Sequence, residues 1–230
     1  MAAYYERFKS LVPFALEPDG VRRLTRHVAA LHPQIDWLNG MEEIGRPALE
    51  ELLRLGYESL RDPGKVFMEA DGLPPVQPGE EACRLQRPED APAVVRLLRH
   101  LQGTDPDAPP TEDELARVRA NPQRYVLECD GRLVSTAATS GIAVTAGQII
   151  GVATEPSYCG RGFAGAVCAT LMRDLADKGA RHTVLFTDVD NLPAQRCYQR
   201  LGFRITGQYL LAKLKAPPGG ARPEASNATR

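Results

Sequence analysis

Aromatic residues are scarce in this chain of 230 residues, at 6% with a single tryptophan. Neither sign of charge dominates: 28 Lys and Arg face 29 Asp and Glu, a formal net charge of −1. That removes the electrostatic footing for binding nucleic acid or an anionic membrane. No apolar run is long enough to cross a bilayer, and Met1 to Gly20 lacks the apolar centre of a signal peptide. The expectation is a cytoplasmic protein. The five cysteines (Cys83, Cys129, Cys159, Cys168, Cys197) are odd in number and scattered, without the close pairs of a metal site or a disulfide framework. No metal is expected. The four histidines, His27, His32, His100 and His182, stand apart and read as surface or packing residues. The usual mononucleotide and dinucleotide glycine fingerprints are missing as well.

What is present is concentrated in two stretches. Ile149–Thr154 is an apolar, strand-like run, followed by Glu155-Pro156-Ser157-Tyr158-Cys159-Gly160-Arg161-Gly162-Phe163-Ala164-Gly165. From Phe163 to Lys178 the period turns helical, with Phe163, Val167, Leu171 and Leu175 four apart and Gly179 as the stop. A glycine-rich turn thus joins a strand to a helix N-terminus. It gathers backbone N–H groups and the positive end of the helix dipole at one point, which suits a phosphate. Gly160 and Gly162 permit close approach, and Arg161 adds positive charge. The second stretch is Asn191-Leu192-Pro193-Ala194-Gln195-Arg196-Cys197-Tyr198-Gln199-Arg200-Leu201-Gly202-Phe203. Asn191 can cap a helix whose Ala194, Cys197, Tyr198 and Leu201 share a face, and Gly202 ends it. Tyr198 then carries the one polar tip on an inward face. On these residues alone it is either a core tyrosine or a proton donor.

Together the two stretches resemble the GNAT superfamily of acyl-CoA-dependent N-acyltransferases. Cys159-Gly160-Arg161-Gly162-Phe163-Ala164 matches its Gln/Arg-x-x-Gly-x-Gly/Ala motif except at the first position, and the later block matches Asn-x-x-Ala-x-x-x-Tyr-x-x-Leu-Gly-Phe throughout. The wording around Gly151 and Phe186 is most similar to the glycine N-acyltransferase-like subgroup. The resemblance covers about residues 82–214 and implies an α/β (α+β) fold, a mixed central sheet flanked by helices. It also implies an enzyme that moves an acetyl group from acetyl-CoA to the primary amine of a small molecule or peptide. By resemblance, the strand ending Val152-Ala153-Thr154 splays from the next strand and pairs with the pantetheine arm, while its N–H near Val152 polarises the thioester. The pyrophosphate sits on Cys159, Gly160, Arg161, Gly162, Phe163, Ala164 and Gly165. Tyr198 protonates the departing thiolate, and Asn191 holds the cofactor or a water. Two departures stand out. Cys159 replaces the Gln or Arg, and Gln148 stands where some relatives carry a carboxylate, leaving Glu128, Asp188 or Glu155 as bases. These departures suit an alternative, a CoA-binding sensor or scaffold without turnover. A longer acyl donor and a homodimer are both compatible with the sequence.

Along the chain, residues 1–80 form a β-α-β extension with a Pro-rich linker at Leu73–Gly79, residues 81–215 the transferase domain, and 216–230 a disordered tail. In the extension, helices are expected over Glu17–Ala30 and Ala48–Leu55, with Pro47 in the first turn, and strands over Ile35–Leu38 and Val66–Glu69. In the domain, the order β-α-α-β-β-β-α-β-α-β-β includes a capping box at Thr111 and a hairpin at Asp130-Gly131. A final strand pair is expected to turn at Gly207.

Overall fold

The computed structural model describes residues 2–6, 9–13, 17–61, 64–143 and 145–218, so the expected tail from 219 onward lies outside the described residues. In chain order the elements are β1 (Ala2–Tyr5), β2 (Ser10–Pro13), α1 (Pro18–Leu31), β3 (Trp37–Met41), α2 (Glu42–Arg54), β4 (Glu58–Arg61) and β5 (Lys65–Asp71). They continue with β6 (Cys83–Leu85), α3 (Ala91–Gln102), α4 (Glu112–Arg119), β7 (Arg124–Cys129), β8 (Arg132–Ala143) and β9 (Ala146–Thr154). The last are α5 (Phe163–Asp177), β10 (His182–Asp188), α6 (Leu192–Arg200) and β11 (Arg204–Lys215).

The chain divides into two compact units: Met1–Phe67 with Phe186–Asn191 and Thr206–Arg230, and Met68–Leu185 with Leu192–Ile205. In the first unit β1 and β2 are antiparallel, β2 runs parallel to β3, and β3 and β4 both pair with β11. Helix α1 buries Val21, Thr25, Val28 and Ala29, one stripe at helical spacing, into a core with Leu11, Leu38, Leu52 and Leu210. Each of those leucines is fully buried and contributes about 2 kcal/mol. Burial pushes the Tyr57 phenol up to about 12, and its hydroxyl donates to the Pro33 carbonyl at 2.7 Å.

Two expectations for this part are corrected. Helix α2 starts at Glu42, so Pro47 lies inside it; the Arg46–Glu42 ion pair at 2.6 Å supports the polar turn that precedes the proline. The expected final strand pair is one continuous strand, β11. Gly207 does not turn the chain: a Cβ there would lie 2.7 Å from the Met41 methyl, so the glycine serves close packing instead. Strands β1, β2 and β4 were not foreseen, and the strand expected at Ile35–Leu38 runs Trp37–Met41.

In the second unit β6, β7, β8 and β9 form an antiparallel series, and β10 joins β9 in parallel. Val126 packs with Val94, Val95, Leu115 and Val118 of α3 and α4, whereas its neighbour Leu127 faces Ala166 of α5. The sheet therefore has α3 and α4 on one face and α5 on the other. Asp130 (φ 52°) and Gly131 (φ 73°) make the expected tight hairpin.

The capping box also forms: Thr111 Oγ1 accepts from the Glu114 N–H at 3.3 Å, and Glu114 Oε2 accepts from the Thr111 N–H at 2.8 Å. Arg99, with the Thr111 donors, holds the Glu114 carboxyl down to about 2. A carboxyl depressed in the folded state stabilises above its unfolded value near 4.5 and loses that contribution as pH falls towards 2. The Tm difference between the native chain and Glu114→Gln should therefore be constant above about pH 5 and shrink between pH 4.5 and 2. A series of thermal melts over that range checks it, and a difference independent of pH would contradict the assignment.

Candidate active site

Strand β9 is irregular where the sequence placed its chemistry. Against β8, Ala153 pairs with Thr136 and Ile150 with Ala138, so Gly151 and Val152 together oppose Ala137. Gly151 has φ 59°, the left-handed conformation that such a bulge asks of one residue. On its other edge β9 pairs with β10 over Ala146, Gly147 and Gln148 only. From Ile149 to Thr154 that edge has no ladder partner from β10 among the described residues. Gly147 makes the closed end possible: a Cβ there would meet both Leu175 methyls at 2.9 Å. Thr154 is held from β8, with its hydroxyl 2.9 Å from Ser135 Oγ, which also donates to the Ala153 carbonyl.

After β9 the chain makes one short turn at Pro156–Tyr158 and enters α5 through Cys159, Gly160 (φ 78°), Arg161 and Gly162 (φ 87°). Gly162 is the N-cap residue, and no side chain caps the helix. The first intrahelical bond is Ala166 N–H to the Gly162 carbonyl at 3.0 Å, which leaves the N–H groups of Phe163, Ala164 and Gly165 without helical acceptors. Nothing lies within 4 Å of where a Cβ would stand on Gly160 or Gly162. An uncapped helix start with open space before it fits a phosphate. Arg161 lies over the Tyr158 ring at 4.8 Å. Cys159 is exposed, with its thiol 3.7 Å from the Glu155 carbonyl.

Helix α6 brings Tyr198 into the same unit. The ring is 7% exposed and meets Phe203 edge-on at 6.0 Å. Burial, and secondarily the thiols of Cys168 and Cys197, raise its phenol well above the ordinary value, so it stays protonated. Its hydroxyl has no hydrogen-bond partner among the described residues. A Cβ on Gly165 would stand at ordinary contact distance from Gln77 Oε1 (3.4 Å) and Cys197 Sγ (3.8 Å), so α5 meets α6 there. Val152, Ala153, Thr154, the segment Cys159–Gly165 and Tyr198 thus belong to one unit. Asn191 belongs to the other, where its N–H donates to the Asp188 carbonyl at 3.0 Å.

The candidate bases are all engaged. Glu155 pairs with Arg96 at 2.7 Å and lies 3.7 Å from His100, Glu128 is half exposed beside Arg84 at 3.4 Å, and Asp188 is bound by Lys65. Gln148 accepts from Ser140 through its side-chain oxygen at 2.8 Å. Arg124 was missed from the sequence. It is 6% exposed, donates to Thr136 Oγ1 at 3.3 Å, and its Nε has no partner among the described residues. Burial alone lowers it to about 10. The available signal was its phase: Arg124 shares the alternating face of the buried Val126, where an apolar residue is the rule.

Comparison with known proteins agrees with this geometry. The acetyltransferase (GNAT) family profile matches residues 92–203. The mycothiol acetyltransferase of Actinosynnema mirum is 30% identical over 160 residues, covering 65% of this chain and 54% of that protein. The chain therefore spans about half the length of this relative. Curated relatives being mycothiol acetyltransferases, the glycine N-acyltransferase-like subgroup is not what these comparisons bring out. A putative acetyltransferase of the GNAT family from Novosphingobium aromaticivorans superposes with a TM-score of 0.58 at 26% identity, over 71% of this chain and 69% of the other. A GCN5-related N-acetyltransferase from Sphaerobacter thermophilus covers 96% of this chain and 76% of its own at a TM-score of 0.60; at 20% identity it speaks for the fold alone. The bulged and parted β9, the uncapped glycine turn before α5 and these likenesses have one reading: the chain has the fold of the acetyltransferase (GNAT) family.

Proposed function

We propose that the chain transfers an acetyl group from acetyl-CoA to a primary amine, directly and with Tyr198 as general acid. The observation that carries this reading is the parting of β9 from β10 beyond Gln148, a short distance in sequence before the uncapped start of α5. A pantetheine arm carries amides and can add to the free edge of Ile149–Thr154 as a strand would. The diphosphate then falls to the N–H groups of Gly160 to Gly165, and the thioester carbonyl to the bulged N–H near Val152. The amine arrives neutral; its nitrogen bonds the carbonyl carbon and the carbon–sulfur bond breaks. Tyr198 gives its proton to the leaving sulfur, and the proton that the amine nitrogen loses passes through water to restore the phenol. Asn191 holds the cofactor or a water. The donor is acetyl and the working compartment the cytoplasm.

Cys159 in place of Gln or Arg does not remove the cradle, since Gly160 to Gly165 bind through the backbone. The same residue, with Gln148, favours the second reading, a CoA-binding module without turnover. Two measurements decide. Calorimetry should find CoA binding to the intact chain. Release of free thiol from acetyl-CoA should follow addition of one or more members of a panel of amino acids, polyamines, peptide N-termini and a mycothiol-type acceptor. Tight CoA binding with no thiol release from any amine would leave the sensor reading; absence of CoA binding would end both.

A further inference from the structure

Arg124 is a buried charge without a counter-charge among the described residues. Its guanidinium lies under α3, with Thr136, Gly151 and Leu98 around it, and among the described residues its one hydrogen bond goes to a neutral hydroxyl. Thr136 Oγ1 donates its own proton to the Tyr125 carbonyl at 2.9 Å, so it meets Arg124 only as an acceptor. No acidic group contributes to the shift of Arg124, and Glu155, the acid that follows β9, is engaged by Arg96 and His100. A charge kept dry on these terms destabilises the fold, and an apolar side chain of the same length would do better there. Gly151 sets its outlook. The two terminal nitrogens of Arg124 lie 3.6 and 3.7 Å from the point where a Cβ on residue 151 would stand. The same point lies 3.4 Å from Leu98 Cδ2, so any other residue at the bulge would press its side chain on the guanidinium edge, and glycine puts none between that edge and the bulge.

We infer that Arg124 receives a carboxylate of the acceptor, so that the amine taken is that of a small amino acid or a similar amino carboxylate. This rests on the acetyl-transfer reading above, which puts the thioester at the Gly151–Val152 bulge. In an α-amino acid the amine and the carboxylate sit on the same carbon. A carboxylate on the terminal nitrogens of Arg124 therefore holds the amine beside the bulge. The pair is a charge-assisted, two-pronged contact made in a dry site, where such bonds count most. Arg124 fixes the acceptor's orientation and takes no part in proton transfer.

The test compares amines that differ only in the carboxylate: glycine with glycinamide and alanine with alaninamide, by thiol release from acetyl-CoA using the full chain. The native protein should favour the acids on the order of 10²-fold in kcat/KM, the size of a hydrogen-bonded charge pair. Arg124→Met should bring acid and amide to within a few-fold while CoA affinity stays as it was, and Arg124→Lys should recover part of the preference. Melting of Arg124→Met separates this from a packing role: Tm should hold or rise, whereas a structural arginine would lower it. A readout independent of turnover is binding of N-acetylglycine against N-acetylglycinamide by calorimetry in the presence of CoA. Preference for the carboxylate in the native chain and its loss in Arg124→Met support the inference even if no amine is turned over. Equal handling of acid and amide by the native chain, or a preference that survives Arg124→Met, overturns it.

Discussion

Tyr198→Phe should fold and bind CoA as the native chain does and turn over on the order of 10²–10⁴-fold more slowly. The ring keeps its burial and its edge-on contact with Phe203, so packing is conserved. The hydroxyl has no partner among the described residues, so its removal orphans no group among them. The remaining loss is the proton itself, needed as the carbon–sulfur bond breaks. The phenol's raised pKa adds a second expectation. A general acid acts in its protonated form, and burial extends that form upward in pH. The alkaline limb of kcat should consequently lie above 10, with a plateau through the neutral range. Thiol release measured from pH 6 to 10.5, with CoA affinity and Tm as controls, gives both answers. Native turnover in the Phe variant would return Tyr198 to packing.

The parts of the molecule that were legible in the sequence are those whose signal is local. Thr111 and Glu114 are three apart, Asp130-Gly131 is a two-residue turn, and α5 repeats its apolar residues every four positions; each formed where expected. The glycines of the turn before α5 were legible for the same reason, since positive φ at Gly160 and Gly162 is a demand of single residues. The first unit was harder because its order comes from pairing across long separations. Strand β3 finds β11 about 170 residues later, as in Met41 opposite Tyr209, and nothing near Trp37 announces that partner. Gly207 reads as a turn in isolation and becomes a packing residue once Met41 lies against it. In the candidate site, the motif residues were visible, but the bulge at Gly151 depends on the count of residues in β8, a neighbour the local sequence does not describe. Arg124 shows the same limit. Its position on an apolar face could be read, whereas the absence of any acid around it requires the folded chain.

Gly162→Val should abolish measurable CoA binding or weaken it at least about 100-fold, the largest effect expected of any single change in the cradle. Two causes combine. At φ 87° a β-branched residue is strained, and relief moves the chain away from the geometry that aims the N–H groups of Phe163, Ala164 and Gly165 at one point. The new side chain would also stand in the open volume before the helix, where nothing now lies within 4 Å. Strain alone could lower affinity through instability, so the comparison must hold strain fixed. Gly179 supplies that control: it follows the same helix at its other end with φ 96°, again with nothing within 4 Å of a Cβ. Gly179→Val should lose a similar 1–3 kcal/mol of stability, yet bind CoA with native affinity at a temperature where both variants are folded. Melting curves establish the folded range, and calorimetry with CoA and with adenosine 3′-phosphate 5′-diphosphate reads the binding. The shorter ligand lacks the pantetheine arm, so a loss common to both places the defect at the phosphates, and a loss confined to CoA would move it to the β9 edge. CoA bound equally well by Gly162→Val and Gly179→Val would remove the helix start from the site and, with it, the structural basis for acetyl-CoA as donor.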